Sequence, residues 1–383
     1  MIAITIDTIS CYPIALPLTE PLQTSFGEEP YKVCVLVELR ATSGIVGWGE
    51  ASVEIRPGYG PETVGTALHV LENFLVPELL GVTITDPAQV PKLLHGTRGH
   101  HHAKAGLEAA VWDAAARANE MRLADYFAAF LPQGHRSRGH AVVGVSIGIQ
   151  PTIEATLAIV RKRVQQGYKR IKLKIKPGWD VQIAAAVRAE FPQIQLMLDA
   201  NSAYKLSDAA RLQQLDAYDL LMIEQPLGYD DIFEHSRLQP QLKTPICLDE
   251  SIKSAGDLLL ALQVGACRIL NLKPARVGGF TESLAIYRLC VEQGVPLWIG
   301  GMLETGVGRA ANVAFASLPG VTLPSDISAT DRYFDPDITE PPFLLNEDST
   351  LCVPEGLGIG VEVIPERLAL ARSLWEEHYP YKR

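Results

Sequence analysis

The sequence of 383 residues has few of the features that membrane-spanning, secreted or nucleic-acid-binding proteins need. It contains no uninterrupted apolar run of about 18 residues or more, which argues against a membrane-spanning helix. Lys and Arg number 34 against 44 Asp and Glu, so a net charge of −10 offers nucleic acid no basic surface. The N-terminal MIAITIDTIS has no basic segment and carries Asp7, which is not typical of a secretory signal. We therefore expect neither a membrane nor nucleic acid among the partners.

Cysteine is also scarce, and its six residues are scattered without a CxxC pair. In a chain of this length, the pattern is typical of reduced, mostly buried thiols in a cytosolic protein, so we expect a cytoplasmic location. Charged residues make up 20% and hydrophobic residues 47%, which excludes a disordered chain. If the substrate is anionic, lysines or a metal ion must supply positive charge at the site.

The first 130 or so residues mix strand and helix patterns. Segments 2–12 and 33–41 are rich in β-branched residues, and GWGEA at Gly47–Ala51 reads as a turn after them. Helical patterns follow at 61–80 and 102–117. Strands followed by helices in one block predict an α+β domain over residues 1–130, with a polar linker at 132–140.

From residue 141 the pattern becomes a repeat with a spacing of about 25 residues. Short apolar runs alternate with helix-patterned segments such as 151–166 and 281–293, which predicts a closed parallel (β/α) barrel, in its (β/α)7β form, over 141–330. An open doubly wound sheet is the alternative, but no strand is followed by a GxGxxG turn. The eight apolar runs are 142–149, 170–176, 194–199, 220–225, 245–249, 268–273, 296–300 and 321–326.

The repeat ends after Asp331. Within the last segment, 331–383, residues 351–363 are typical of a strand and turn, which we expect to pack back on the first domain and complete it.

Charged residues lie at or near the carboxyl ends of five successive apolar runs, at intervals of 25, 25, 25 and 24 residues. Active sites of such barrels lie at the carboxyl ends of the strands, so equal spacing predicts equal height at one mouth. The five residues are Lys174, Asp199, Glu224, Asp249 and Lys273.

The three carboxylates of this set predict a metal site. Like charges on adjacent strands would raise at least one pKa strongly unless a cation neutralised them. Ligation by oxygen alone selects a hard divalent ion, so we expect Mg²⁺, with Mn²⁺ as a substitute. Separate salt bridges of each carboxylate with Lys or Arg are the alternative.

The lysines flank this trio and predict proton abstraction next to a carboxylate. A partly buried Lys near a divalent cation has its ammonium disfavoured, which lowers its pKa toward that of a useful base. Lys172 lies one layer below Lys174 on the same face of the strand. It is expected either to lower its neighbour's pKa or to bind the substrate carboxylate.

These residues stand in a series of motifs: KLK at 172–174, DAN at 199–201, IEQP at 223–226, DES at 249–251, NLKP at 271–274 and GGMLETGVGRAAN at 300–312, together with GWGEA and KAGLEAAVWD in the first domain. The series resembles that of the enolase superfamily, in its muconate-lactonizing branch. Within that branch, four segments are most similar to the o-succinylbenzoate synthases that are grouped with N-succinylamino acid racemases. These segments are KIKPGWD, IEQPL, LKPARVGG and PSDISATDRYF.

The resemblance implies roles for the matching residues. Lys174 is the expected base and Lys273 the lysine on the opposite face, while Asp199, Glu224 and Asp249 are the expected ligands of Mg²⁺. The chain departs from the family at none of these five positions.

Further residues are candidates for contact with the substrate or with the residues that carry the chemistry. Ser146 ends the first barrel strand, and Arg276 is expected to tune Lys273. Phe26 and Tyr59 stand on loops of the first domain that are expected to close over the barrel mouth. Asn201, Gly301 and Met302 complete the set. His100–His102 is read as a helix start or surface cluster, not a metal site.

The resemblance implies o-succinylbenzoate synthesis, a dehydration of a small-molecule carboxylate. We also expect a homo-oligomer. Racemization of N-succinylamino or other N-acylamino acids is the alternative, and one protein can do both. Dipeptide epimerase and muconate cycloisomerase are more remote alternatives. Dipeptide epimerases of the family carry Asp-x-Asp after strand eight, where this chain has Asp326-Ile327-Ser328. A catalytically inactive barrel that binds ligands is disfavoured by the five intact residues.

Overall fold

Two sheets organise the fold, an antiparallel sheet of four strands and a parallel sheet of seven. A computed structural model describes residues 2–24, 27–132 and 134–379, and the side chains of 21–29 lie outside that description. Phe26 therefore lies outside the described residues. No helix in these described ranges is long and apolar enough to cross a membrane.

The strands are β1 (Ile4–Thr24), β2 (Gly27–Ala41), β3 (Val46–Ala51), β4 (Thr83–Ile84), β5 (His140–Val142), β6 (Val145–Ile147), β7 (Arg170–Lys174), β8 (Gln195–Asp199), β9 (Ile223–Glu224), β10 (Ile246–Leu248), β11 (Ile269–Leu272), β12 (Leu297–Ile299), β13 (Thr339–Glu340), β14 (Thr350–Cys352) and β15 (Glu362–Val363). The α-helices are α1 (Val64–Val70), α2 (Val90–Leu93), α3 (His101–Ala118), α4 (Leu123–Ala129), α5 (Ile153–Gln165), α6 (Val181–Glu190), α7 (Ala209–Leu212), α8 (Phe233–Leu238), α9 (Ala255–Gln263), α10 (Pro274–Val277), α11 (Phe280–Gln293), α12 (Gly306–Ala316) and α13 (Pro365–His378). Short 3₁₀ and π turns connect several of them.

The antiparallel sheet has the order β3-β2-β1-β4 and packs against α3. GWGEA was expected to be a turn, and that prediction is wrong: it forms β3, paired with β2 from Val35–Ala51 to Arg40–Val46. The glycines serve close packing here. A Cβ at Gly49 would overlap the carbonyl of Gly106 in α3, and one at Gly106 would approach Ala51 of β3. The strand and the Ala-rich helix can therefore lie in direct contact.

The parallel sheet has the order β12-β11-β10-β9-β8-β7-β6 and curls into a barrel, which confirms the predicted fold class. Its eighth position is taken by residues 321–325. Val321 bridges Leu297 on one side and Ser325 bridges Val143 on the other. The run was predicted as a full strand, but Pro324 has no N–H to donate, and the pairing is reduced to these bridges.

The first predicted barrel strand, 142–149, is shorter in the structure. Only β6, Val145–Ile147, belongs to the barrel sheet, whereas Val142 is the last residue of β5, which pairs antiparallel with β14. Gly144 separates β5 from β6 at a point where a Cβ would overlap the guanidinium of Arg170.

The last segment contacts both regions. Its strand β14 pairs with β5 at the entry to the barrel. Gly358, farther along, accepts a hydrogen bond from Leu123 N (2.6 Å) and donates one to Met121 O (2.9 Å). In α13, His378 Nε2 lies 2.9 Å from Tyr31 Oη. We keep the division into 1–130, 141–330 and 331–383 as a proposal.

The lower part of the barrel interior is filled by a separate apolar cluster, made of Met197, Met222, Cys247, Ile269 and Trp298. Side chains of a strand alternate, so Met197 and Asp199 share the inward face of β8. The indole of Trp298 lies 5.3 Å from Lys172 Nζ, at the boundary between this apolar layer and a charged layer above it.

Candidate active site

Neighbouring strands bring the charged residues together. Lys174 ends β7, Asp199 ends β8 and Glu224 ends β9. The register pairs Lys174 with Asp199, and Asp199 with Glu224. Asp249 directly follows β10, and Lys273 directly follows β11.

Lys172 lies beneath the mouth as a buried cation among three carboxylates. Its Nζ is 2.7 Å from Asp326 Oδ2, 3.1 Å from Asp199 Oδ2 and 3.2 Å from Glu224 Oε2. Glu224 Oε1 accepts a further bond of 2.7 Å from Asn271 Nδ2. The ammonium of Lys172 therefore lies inside the acidic cluster.

Lys174 is the more exposed of the two lysines on β7, with 31% of its side chain accessible. Its Nζ lies 2.7 Å from Asp199 Oδ2 and also donates to Asn201 Oδ1. Asn201 Nδ2 in turn donates to Glu250 Oε1 at 2.9 Å. This chain of bonds orients the ammonium at the open end of the barrel.

Lys273 occupies the other side with Tyr59 and Arg276. Lys273 Nζ is 3.0 Å from Asp249 Oδ2 and also donates to Tyr59 Oη. Tyr59 Oη donates to the same carboxylate oxygen at 2.8 Å, so the loop of the first domain reaches into the site. Arg276 Nη1 bonds Asp249 Oδ1, and the carboxylate thus lies between the two cations.

Burial and charge divide the pKa values of the acidic residues. Burial raises the pKa of Glu224 to about 8, and the nearby charge of Asp199 adds to the increase. Burial also acts on Asp249, but Arg276 and Lys273 hold the pKa of that carboxyl well below its usual range. Burial and Asp249 raise the pKa of Glu250 to about 7.

The donor set fits a hard divalent cation, because the carboxylates of Asp199, Glu224 and Asp249 offer oxygen alone. Within the described ranges, no group of three or more acidic, His or Cys side chains is already arranged to hold a metal ion. The carboxylates instead bind Lys172, Lys174 and Lys273. The carboxylates therefore do form salt bridges, which was the alternative to a metal site. These salt bridges are not separate, however, because Lys172 contacts both Asp199 and Glu224.

Three other residues predicted from the sequence are Ser146, Gly301 and Met302. Ser146 is half-buried in β6, in register with Lys172. A Cβ at Gly301 would overlap the carbonyl of Asp326, and Met302 O accepts a bond of 2.9 Å from Lys32 Nζ.

The histidines lie in the first domain. His100 precedes α3 with a φ of 53°. His102 is not on the surface: it is buried, its Nδ1 lies 2.7 Å from Ser52 O, and burial lowers its pKa to about 3.

Several residues of the site were missed from the sequence. Asp326 was noted only for the motif it fails to complete, yet it forms the shortest ion pair of Lys172. Asn271 and Glu250 stood inside quoted motifs without a role. Strand alternation was a usable signal for Asn271, because it lies two residues before Lys273 on the same face.

Two family comparisons cover most of the chain. Residues 8–127 match the mandelate racemase / muconate lactonizing enzyme N-terminal domain, and residues 155–367 match the enolase C-terminal domain-like family. An o-succinylbenzoate synthase of Geobacillus kaustophilus is 46% identical, over 94% of each chain. An N-succinylamino acid racemase of Thermus thermophilus is 45% identical, over 95% of this chain and 96% of the relative.

A solved structure agrees with these matches. The crystal structure of an enolase superfamily member from Listeria innocua has a TM-score of 0.91 at 42% identity, and the match covers 96% of this chain and 97% of that one. Both halves of the chain, its relatives and its fold therefore lead to one conclusion: the chain belongs to the enolase superfamily, within the group of mandelate racemase and muconate lactonizing enzyme.

Proposed function

We propose that the chain is an o-succinylbenzoate synthase, which dehydrates 2-succinyl-6-hydroxy-2,4-cyclohexadiene-1-carboxylate. The observation that carries the proposal is the placement of Lys174 and Lys273 at opposite ends of the row Asp199, Glu224 and Asp249. The relatives of Geobacillus kaustophilus and Bacillus subtilis, 46% and 44% identical, support the choice of reaction.

Asp199, Glu224 and Asp249 would hold Mg²⁺ in this proposal. When bound, the ion supplies positive charge that stabilises the oxygens of the substrate carboxylate as its α-proton leaves. Lys172, behind two of these carboxylates, contributes positive charge below the site.

Lys174 removes the proton α to the carboxylate, since its side chain is the more accessible one at the mouth. For this step its Nζ must be neutral, and Asn201 orients it through its amide oxygen. The electron pair of the broken C–H bond forms the new double bond as the hydroxyl group leaves. The protonated Lys174 returns its proton to that hydroxyl, which departs as water from the same face.

Lys273 acts from the other side as a cation. Its ammonium, fixed between Asp249 and Tyr59, stabilises the negative charge that develops on the substrate. Arg276 shares Asp249 and thereby helps to fix the position of Lys273.

Racemization of N-succinylamino acids is a second candidate, and the presence of an acid/base lysine on each side favours it. Lys174 and Lys273 would remove and return the α-proton by turns, in an order that depends on the enantiomer. The relatives of Thermus thermophilus and Amycolatopsis, 45% and 46% identical, support this activity.

Other activities have less support. Asp326 already bonds Lys172 and Arg170, and Ser328 is buried, so this pair offers a peptide ammonium no free carboxylate. A chloromuconate cycloisomerase of Pseudomonas putida is only 25% identical. We also propose a homo-oligomer in the cytoplasm, the latter from the scattered cysteines.

The deciding experiment assays the purified full-length chain in parallel on the cyclohexadiene substrate and on N-succinylamino acids of both configurations. We expect Mg²⁺-dependent dehydration. Racemization without dehydration would make the second candidate the function of the chain. Neither activity, with Mg²⁺ or Mn²⁺ present, would contradict both.

A further inference from the structure

Asp326 lies directly after the segment that closes the barrel, between two buried cations. Its Oδ1 accepts hydrogen bonds of 3.3 Å from Arg170 Nη1 and Nη2. Its Oδ2 lies 2.7 Å from Lys172 Nζ. Arg170 is fully buried and also donates to Ser325 O at 2.8 Å, so the guanidinium holds both the carboxylate and the backbone beside it. The Asp326 carboxylate is therefore fixed in position.

Lys172 divides its ammonium among carboxylates of two kinds. Asp199 and Glu224, at 3.1 and 3.2 Å, belong to the proposed metal site. Asp326, at 2.7 Å, does not, and it is the nearest of the three. A cation at Asp199 and Glu224 must share or displace the bonds that Lys172 makes there. The pull of Asp326 on Lys172 thus acts directly on the oxygens that a metal ion needs.

We propose that Asp326 is a positioning residue that draws the Lys172 ammonium toward the closing segment and keeps the oxygens of Asp199 and Glu224 available to a divalent cation. Without the negative charge of Asp326, Asp199 and Glu224 remain as the other two ion-pair partners of Lys172, and its ammonium moves onto them. The Lys172 ammonium then competes with the metal for those oxygens. This inference rests on the proposed function, because it concerns the cation of that site.

Calorimetric titration of the metal-free, full-length chain with MgCl₂ tests this without substrate. In Asp326→Asn we expect the Kd for Mg²⁺ to rise by roughly 10–100-fold, the range typical for residues that orient metal ligands. Asp113→Asn is a matched control, since Asp113 is also buried and bonded to an arginine, but lies in the first domain. Its Kd should equal that of the wild type. A Kd for Asp326→Asn within twofold of the wild-type value overturns the inference.

A double variant separates positioning from general damage. If Asp326 acts through Lys172, adding Asp326→Asn to Lys172→Met should leave the Kd for Mg²⁺ where Lys172→Met alone puts it. A further rise as large as that in the wild-type background overturns the inference.

Asp326→Glu covers the case in which Asp326→Asn does not fold. It keeps the charge and a counterion for Arg170 but moves the carboxylate by one methylene group. We expect a smaller rise in Kd, and an unchanged Kd overturns the inference. Failure of the wild-type chain to bind Mg²⁺ contradicts the proposed function and this inference together. Binding by the wild type with an equal Kd in the variants overturns this inference alone.

Discussion

Buried carboxylates occur in two parts of the molecule and are held in different ways. At the barrel mouth, Asp199, Glu224 and Asp249 form ion pairs with lysines. Between the first domain and the rest of the chain, carboxylates accept backbone N–H bonds. Glu108 of α3 accepts from Thr281 N (3.3 Å). Asp113 of α3 accepts from Ile359 N (2.7 Å) and, unlike Glu108, also pairs with Arg117 of its own helix.

Buried carboxylates thus have a structural role where the domains pack and a reactive role at the barrel mouth. Burial raises the pKa of Glu108 to about 7, since the N–H bonds only partly offset the loss of water. At the mouth, Arg276 and Lys273 overcome the burial of Asp249 and keep its pKa low, whereas burial and the charge of Asp199 raise the pKa of Glu224 to about 8. Neutral donors hold Glu108 where the domains pack, whereas ammonium groups form a site whose charges can exchange with a cation and a substrate.

The largest expected effect is the loss of activity in Lys174→Ala. The variant removes the base on the reacting face, so the rate of dehydration and of any racemization should fall by roughly 10²–10⁴-fold or more, as measured by kcat. Lys176→Ala is the matched control, because Lys176 lies two residues farther along and is exposed. Equal activity in Lys174→Ala and Lys176→Ala would show that Lys174 is not the base. The ion pairs at the barrel mouth would then have a structural role, like the carboxylates between the domains.

Lys273→Ala sharpens the comparison between the two sides of the site. Dehydration should slow by an amount equal to about 3 kcal/mol, because a preorganised cation near the developing charge is lost. Racemization should stop in at least one direction. In deuterium oxide, one enantiomer of an N-succinylamino acid should still exchange its α-proton through Lys174, as NMR can follow. Exchange of both enantiomers at the wild-type rate would refute the two-sided assignment.

A smaller effect, on stability alone, tests the N–H-bonded carboxylates. Glu108 has a raised pKa of about 7 in the folded chain, so the folded state binds its proton more tightly than the unfolded state. Its contribution to stability is therefore fully present below the ordinary glutamate pKa and is lost as the pH rises through about 7.

Glu108→Gln keeps an oxygen acceptor but cannot ionise. Between about pH 4.5 and 7, the free energy of unfolding of the wild type should fall relative to the variant by on the order of 3 kcal/mol. Urea denaturation at several pH values measures this difference. If the difference in the free energy of unfolding does not change with pH, burial does not raise the pKa of Glu108 in the folded chain.

Much of the site was accessible from the sequence because its members stand at one repeat interval. The βα repeat determines which residue ends each strand, and the resemblance named the same residues. Lys172 and Lys174 share a face by strand alternation alone. The strand β3 was misread as a turn, since glycines that permit close packing against a helix look like glycines that permit a bend.

The sequence by itself determined the barrel, its charged strand ends and their order, because these depend on local periodicity. Only the tertiary structure decided the partners of those charges. Tyr59 reaches Lys273 from 214 positions away, and Asp326 reaches Arg170 from 156 positions away. No local pattern encodes such contacts, since they arise where the closing of the barrel and the packing of the first domain bring distant segments together.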